Sequence, residues 1–248
     1  RGERKFAILP SRAAPQDATA AARVAPDTAP CARCRQDFLT PGNRRHGYAF
    51  TNCTHCGPRY TITRTLPYDR PQTTMAAFAQ CRDCQAEYDA PGERRFHAQP
   101  NACPACGPRL TGDGCTGAAA LRWAGGLLAA GGVLAVKNVG GYQLTCDAGQ
   151  AAPVERRRQW KQRGRKPFAL LARDLDAAAS VCRLTAPEER ALLAAARPIV
   201  LLERCDSTAG RVAAAVAPGQ PRLGLMLPSS PLHELLHLCE RPAQGLSR

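Results

Sequence analysis

The pattern of apolar and polar residues changes along this chain of 248 residues. From about Leu121, short apolar runs alternate with helical patterns, which is typical of an α/β domain. The pattern predicts helices over residues 121–132, 153–165, 173–184, 185–196 and 230–239. It predicts strands over residues 133–137, 166–172 and 198–203, with a further strand after a tight turn at Gly140-Gly141.

Two of these helices carry clear start signals. Thr185 and Glu188 match a capping box, with Pro187 in the first turn. Ser230 is the expected N-cap of the last helix, because its hydroxyl can accept from a free amide of the first turn and Pro231 suits the first helical position.

Cysteine spacing, rather than periodicity, organises the stretch before residue 111. Two C-x2-C pairs are separated by eighteen residues, and the whole pattern recurs fifty positions later. Other residues keep the same register, since Pro41-Gly42 maps onto Pro91-Gly92 and Arg44-Arg45 onto Arg94-Arg95. The chain therefore contains a tandem duplication of one unit.

Each repeat has the spacing of a structural zinc site. A C-x2-C turn supplies two thiolates, and two such turns complete a tetrahedral site with no open position for catalysis. Gly57 and Gly107 follow their cysteine pairs, where a Cβ would crowd the chain reversal. We favour pairing within each repeat, although crossed pairing between repeats satisfies the same count. The predicted ligands of two Zn²⁺ ions are Cys31, Cys34, Cys53, Cys56, Cys81, Cys84, Cys103 and Cys106.

The remaining histidines and cysteines near these sites fit packing better than metal binding. With four cysteines available per ion, His46, His55 and His97 are expected to pack or to form hydrogen bonds. Five further cysteines fit no metal spacing and are expected to be ordinary thiols. They are Cys115, Cys146, Cys182, Cys205 and Cys239.

Net charge argues against a DNA-reading finger. The chain carries +14 with a pI near 9.6, but residues 31–110 contribute eleven basic and six acidic groups. Eight thiolates with two Zn²⁺ lower the net charge of that segment from +5 to about +1, which is too little positive charge to attract nucleic acid strongly. The proline-glycine pairs also interrupt each spacer where a recognition helix would lie.

Two features of the second half suit anion binding. Seven positive charges fall within residues 156–166, a run that on composition alone most often forms a solvated helix face. The last residues of this run lie directly before a predicted strand. Open α/β folds bind ligands at such ends of secondary-structure elements. Ser229 and Ser230 are expected at a helix N-terminus, where amides and hydroxyls suit phosphate, although capping is the commoner role.

Long stretches of the chain resemble the HypF family of carbamoyltransferases. Three stretches resemble the family's zinc-finger region: "PDTAPCARC" (residues 26–34), residues 44–81, which contain "NCTHCGPR", and residues 87–108, which contain "NACPACGP". "KNVGGYQLTCDA", "KQRGRKPFALL" and "GLMLPSSPLHELL" resemble the YrdC-like domain that follows it. The resemblance covers about residues 25–238. It implies an α/β (α+β) fold in which tandem C4 zinc fingers precede a YrdC-like twisted sheet.

The resemblance also implies an activity. Family members cleave carbamoyl phosphate, condense the carbamate with ATP to carbamoyl-AMP, and pass the carbamoyl group to a C-terminal cysteine of HypE. This serves cyanide ligand synthesis for nickel–iron hydrogenases, in the cytoplasm. ATP would arrive with Mg²⁺ bridging its phosphates. Carried over, Lys137 and Arg163 become catalytic candidates. The candidates for binding the nucleotide and carbamoyl group are Lys137, Lys161, Arg163, Lys166, Ser229 and Ser230.

Departures from the family pattern predict a fragment. Residues 1–24 resemble only the tail of an acylphosphatase-like domain, residues 25–110 the fingers (31–56 and 81–106), and residues 111–248 a truncated YrdC-like domain. The family's Ser-Gly-Asn motif and transfer domain are not found, and Ser229-Ser230 stands where the family has Tyr-Thr. We expect weak or no activity from this chain alone. It shows no signal peptide or membrane span.

A second function class fits some of the same features. The resemblance implies it, because YrdC-like domains also occur in tRNA-modifying enzymes and as binders of RNA, double-stranded RNA included, and the chain keeps about +10 after metallation. A zinc-stabilised nucleic-acid-binding module is therefore the alternative, which a steep salt dependence of RNA binding would favour.

Overall fold

The finger region contains two short helices at equivalent places in the two repeats. The computed structural model describes residues 23–205 and 210–239, so most of the predicted tail over 1–24 and the residues after 239 lie outside the described residues. Helix α1 (Ala32–Leu39) and helix α2 (Arg82–Asp89) each begin directly after the first cysteine of their repeat. Three 3-10 helices follow α1 in the chain and precede α2: Tyr60–Ile62, Arg70–Gln72 and Thr74–Ala77.

These two helices were not predicted. Each has only eight residues and a weakly apolar composition, below the length at which helices are stable alone. Each ends before the proline-glycine pair of its repeat. Proline cannot continue a helix, because its ring fixes φ and its nitrogen has no hydrogen to donate. The first cysteine pair of each repeat therefore lies on the start of a helix rather than in an isolated turn.

The remaining described residues form the mixed α/β region that the sequence predicts. It begins with a small hairpin of β1 (Thr111–Gly112) and β2 (Cys115–Thr116). The other elements, in chain order, are α3 (Gly117–Ala129), β3 (Leu134–Asn138), β4 (Gly141–Thr145), α4 (Ala151–Trp160), β5 (Ala169–Leu171), α5 (Leu175–Ala179), α6 (Ala186–Leu193), β6 (Val200–Glu203), a 3-10 helix Ala214–Val216, β7 (Arg222–Met226) and α7 (Pro231–Cys239).

Two separate sheets organise this region. Strands β3 and β4 pair antiparallel around the predicted glycine turn, where Gly140 has φ +83° and Gly141 φ +134°. In the second sheet β7 lies between β5, to which it is parallel, and β6, to which it is antiparallel. Leu202, Leu223 and Leu225 of this sheet are buried against α4, α5 and α6, which makes it the main core of the α/β region.

Two helices begin at the capping residues that the sequence predicts. Thr185 donates its amide to the Glu188 carboxylate over 2.8 Å, so the predicted capping box is confirmed. Helix α7 begins at Pro231, and Ser230 Oγ accepts from the His233 amide. Helix α4 differs from the prediction because it ends at Trp160 rather than at residue 165. The reason is local, since Gln162 and Gly164 both have positive φ.

A second core joins the finger region to the α/β region. Phe38 and Ala49 of the first repeat pack against α3, β3 and α7, with Leu121, Leu232 and Leu236 among their buried neighbours. Nearby, the Arg35 guanidinium forms an ion pair with the Glu234 carboxylate. The two regions therefore share buried apolar surface. Among the described helices, none has the length and apolar character that crossing a membrane requires.

Candidate metal centres and cleft

The structure brings together the four cysteines of each repeat. All four sulfur atoms of a group lie within 4.8 Å of one another, and the groups are Cys31, Cys34, Cys53 and Cys56 for the first repeat and Cys81, Cys84, Cys103 and Cys106 for the second. This is the pairing within repeats that the sequence favours over crossed pairing. No histidine belongs to either group within the residues that the structure describes.

Distances between the sulfur atoms fit a tetrahedral zinc ion. A Zn–S bond of about 2.3 Å places adjacent sulfurs about 3.8 Å apart in a regular tetrahedron. The Sγ atoms of Cys31 and Cys53 lie 3.8 Å apart, and those of Cys53 and Cys56 3.7 Å. In the second group, Cys103 Sγ lies 3.7 Å from Cys81 Sγ and 3.8 Å from Cys106 Sγ. Four thiolates at these distances suit Zn²⁺ held in a closed, structural site.

Electrostatics within the groups also favour a bound cation. Hydrogen bonds with the Cys34 and Cys56 thiols lower the pKa of Cys53 to about 3. Hydrogen bonds with Cys34 and Cys53 raise the pKa of Cys56, and burial raises it further. One thiol thus ionises at the expense of its neighbour. A divalent cation at the centre removes this competition, because it stabilises all four thiolates together.

The glycines after the second cysteine pairs stand in tight places, as predicted. Gly57 has φ +93°, and a Cβ there would lie 2.6 Å from the Asn52 Cβ. At Gly107 an added Cβ would lie 2.1 Å from the Tyr48 hydroxyl oxygen. Both positions exclude a side chain, because a Cβ does not approach another carbon or oxygen atom so closely without displacement of the neighbour.

A cavity of about 920 Å³ lies between the finger region and the α/β region. Its finger side includes Asn52 and Thr61, and its other side includes the β3–β4 hairpin and the start of α7. Three of the predicted nucleotide-binding residues line it, namely Lys137, Ser229 and Ser230. The structure thus brings together residues that are more than ninety positions apart in the sequence.

Lys137 is positioned by the β3–β4 hairpin. It pairs with Tyr142 across the two strands, and its ammonium nitrogen lies 5.7 Å from the centre of the Tyr142 ring. Both side chains are exposed. A cation beside an exposed aromatic ring at the edge of a cavity can contact phosphate and a planar base at once.

The predicted basic run lies elsewhere, and part of it has internal partners. Lys161, Arg163 and Lys166 are not among the residues that line the cavity. Arg163 donates from Nε and Nη2 to the carbonyl of Pro167, over 3.2 and 2.9 Å. Its guanidinium lies 5.0 Å from the centre of the buried Phe168 ring, which Arg157 and Arg158 also approach. Lys161 and Lys166 are exposed.

His233 and Asn138 contribute to the cleft but were missed from the sequence. The His233 ring is buried on α7, with Nε2 2.6 Å from the Asn138 amide nitrogen and Nδ1 3.3 Å from Ser229 Oγ. Asn138 and Ser229 both line the cavity. His233 therefore positions two lining residues through its contacts with their side chains. The available signal was a histidine among leucines, three residues after the serine pair.

Burial of His233 predicts a pH dependence of stability. Burial, with a smaller contribution from His237, lowers the pKa of His233 to about 4, against about 6.5 in an unfolded chain. The unfolded state therefore binds the extra proton first as the pH falls from 6.5 to 4, and the folded state loses stability in that window. We expect a loss of about 2 kcal/mol between pH 7 and pH 5, measured by urea denaturation.

The matched variants separate this effect from other titrating groups. His233→Gln should show a smaller loss over the same range, whereas His46→Gln, at an exposed position, should behave like the parent chain. If the free energy of unfolding falls equally with pH in the parent chain and in His233→Gln, this histidine is not the source of the loss of stability.

Two family profiles match the chain. The one described as HypF finger matches residues 31–63 and 81–111, which contain both cysteine groups. The Sua5, YciO and YrdC profile, described as Telomere recombination, matches residues 126–244. Together they cover the finger region and most of the α/β region.

Curated relatives match nearly the whole chain. Carbamoyltransferase HypF of Rhizobium leguminosarum bv. viciae is 48% identical over 235 residues, or 95% of this chain and 29% of that protein. Carbamoyltransferase HypF of Rhodobacter capsulatus is 50% identical over 225 residues, or 88% of this chain and 29% of that protein. The chain thus spans less than a third of the length of these relatives.

Solved structures give the same picture. Full-length HypF in a phosphate- and nucleotide-bound form is 39% identical, with a TM-score of 0.82 over 87% of this chain and 28% of that one. HypF of T. kodakarensis is 38% identical, with a TM-score of 0.83 over 88% of this chain and 29% of that one. The mixed α/β fold with two C4 cysteine groups is thereby confirmed. The chain belongs to the HypF family of carbamoyltransferases, of which it carries the paired fingers and the YrdC-like region.

Proposed function

We propose that this chain is the zinc-stabilised, nucleotide-handling part of a HypF-type carbamoyltransferase that acts in the cytoplasm. In this proposal, hydrolysis of carbamoyl phosphate releases carbamate and inorganic phosphate, and a carbamate oxygen attacks the α-phosphorus of ATP, whose negative charge Mg²⁺ would partly neutralise. Carbamoyl-AMP forms and pyrophosphate leaves. The carbamoyl group then passes to the sulfur of the C-terminal cysteine of HypE and AMP leaves, for cyanide ligand synthesis in hydrogenase maturation.

The observation that carries this proposal is the cavity between the two regions. Lys137 offers a cation, the N-terminus of α7 offers an amide end with the Ser229 and Ser230 hydroxyls, and Tyr142 offers an aromatic face. These groups suit a triphosphate and a base. Adenylation needs alignment and charge stabilisation from the protein rather than a nucleophile. Lys161, Arg163 and Lys166 stay candidates for the same ligand.

Calorimetric titration of the zinc-loaded chain with Mg-ATP tests the site. Lys137→Met should weaken binding about tenfold or more, because a hydrogen bond to a charged group contributes roughly 1.5–3 kcal/mol. Arg190→Met is the matched control, since it removes one exposed positive charge on α6, outside the cavity. Absence of Mg-ATP binding by the parent chain, or equal affinity of the Lys137→Met variant, would contradict the proposal.

One observation favours the RNA-binding alternative. Trp160 is 61% exposed at the end of α4, directly before the exposed Lys161, and an aromatic beside cations can stack on unpaired bases. RNA binding with a steep salt dependence, lost in Trp160→Ala and kept in Lys137→Met, would support this function instead.

A further inference from the structure

The two fingers exchange a pair of arginines. Arg44-Arg45 lies between the cysteine pairs of the first repeat, yet the side-chain hydrogen bonds and ion pairs of these arginines go to residues of the second repeat. Arg94-Arg95, at the equivalent place in the second repeat, contacts the first repeat. The exchange is reciprocal, so each finger receives two guanidinium groups from the other.

One arginine of each pair forms a buried ion pair across the fingers. Arg45, only 2% exposed, donates from both terminal nitrogens to the Glu87 carboxylate over 2.9 and 2.6 Å. Arg95 makes the equivalent pair with Asp37 and donates from Nε to the Asn52 carbonyl over 3.0 Å. Asp37 and Glu87 hold equivalent positions on α1 and α2. These contacts fix the two fingers relative to each other.

The other arginine of each pair reaches a metal-site sulfur of the opposite finger. Arg44 Nη2 lies 2.7 Å from Cys84 Sγ, and Arg94 Nη1 lies 2.9 Å from Cys34 Sγ. Arg45 Nη2 also approaches Cys84 Sγ, at the longer distance of 3.5 Å, and Arg94 also forms an ion pair with Asp37. A zinc ion with four thiolates carries a net charge of −2, so a guanidinium donor at sulfur stabilises the ionised, metal-bound form.

We infer that Arg44 and Arg94 are positioning residues that act across the two fingers. Arg44 controls zinc retention in the second finger, and Arg94 controls it in the first. Neither arginine binds the metal. Each acts through the sulfur that it contacts. The neighbouring Arg45 and Arg95 form ion pairs with Glu87 and Asp37 of the opposite finger, and Arg95 also lies 3.8 Å from Glu87 of its own repeat. The effect of a substitution should therefore appear in the other repeat.

Site-resolved zinc retention tests this inference on the full chain. The zinc-loaded protein is equilibrated at a series of buffered free-zinc concentrations, exposed cysteines are alkylated with N-ethylmaleimide, and each cysteine peptide is quantified by mass spectrometry. For Arg44→Met, the free-zinc midpoint should rise about 10–100-fold for the second-repeat cysteines, as is typical when an outer partner of a metal ligand is lost. The midpoint of the first-repeat cysteines should move much less.

Three further variants complete the test. Arg94→Met should reverse the pattern, so that the first-repeat cysteines lose zinc. Arg44→Lys, which keeps a cation near Cys84, should recover much of the retention. Arg33→Met is the matched control, because Arg33 is exposed on α1 and has no ion pair among the described residues. A loss confined to the substituted finger, an equal loss in both, or no loss would overturn the inference.

Discussion

Removal of zinc is expected to unfold the finger region. Structural zinc contributes roughly 10–16 kcal/mol of apparent binding free energy per site, which rivals the whole stability of a typical domain. Helices α1 and α2 are short and begin at metal-site cysteines, so they lose their anchor when the ion leaves. Trypsin cleavage after the buried Arg45 and Arg95, followed by mass spectrometry, measures the effect, because both become accessible only on unfolding.

Matched variants distinguish the metal sites from ordinary thiols. Cys84→Ser should reproduce the cleavage seen with a chelator, while Cys115→Ser, outside both groups, should leave the protection intact. Zinc, added back after the chelator is removed, should restore protection, and magnesium should not. Protection of Arg45 and Arg95 that survives complete zinc removal would show that the sites do not hold the fold.

Arg45→Ala is expected to destabilise the folded, zinc-loaded chain by about 3 kcal/mol, the low end of the range for breaking a buried ion pair, because Arg44 and Arg95, each 3.8 Å from Glu87, compensate this carboxylate only in part. Burial opposes ionisation of Glu87, but hydrogen bonds from Arg45 and the charges of Arg45, Arg95 and Arg44 outweigh it and lower the pKa of this carboxyl. The variant also loses the bonds to the Ala102 carbonyl and Asn101 Oδ1. Urea denaturation at fixed free zinc measures the loss.

A control and a double variant make this result specific. Arg82→Ala, at an exposed position on α2, should change the free energy of unfolding by less than about 0.5 kcal/mol. Combining Arg45→Met with Glu87→Leu should recover most of the loss, because a buried ion pair can be replaced by apolar residues at little cost. If Arg45→Ala and Arg82→Ala prove equally mild, the ion pair is not a structural requirement.

Local signals in the sequence predicted the features that depend on neighbouring residues. Thr185 with Glu188, Ser230 with Pro231, and the Gly140-Gly141 turn each act within a few positions, so their roles could be deduced without a fold. The duplicated spacing likewise predicted two C4 groups, because a repeat that contains four ligands can close its own site.

Contacts between distant segments could not be predicted in the same way. The register showed that Arg44-Arg45 recurs as Arg94-Arg95, but not that each pair crosses to the other finger. The position of β7 between β5 and β6 depends on pairings between residues that are 19 to 55 positions apart in the sequence. His233 was overlooked because Asn138, 95 positions earlier in the chain, meets it only when β3 lies beside α7.

The crossed arginines also bear on how such a finger pair can arise. Equivalent residues of the two repeats make equivalent contacts with each other, which is the arrangement of an isologous dimer with two-fold symmetry. A single repeat would present its arginine pair and its helix carboxylate as a self-complementary surface. Two separate copies could therefore satisfy each other as a homodimer, and gene fusion would then convert that interface into the interior of one chain.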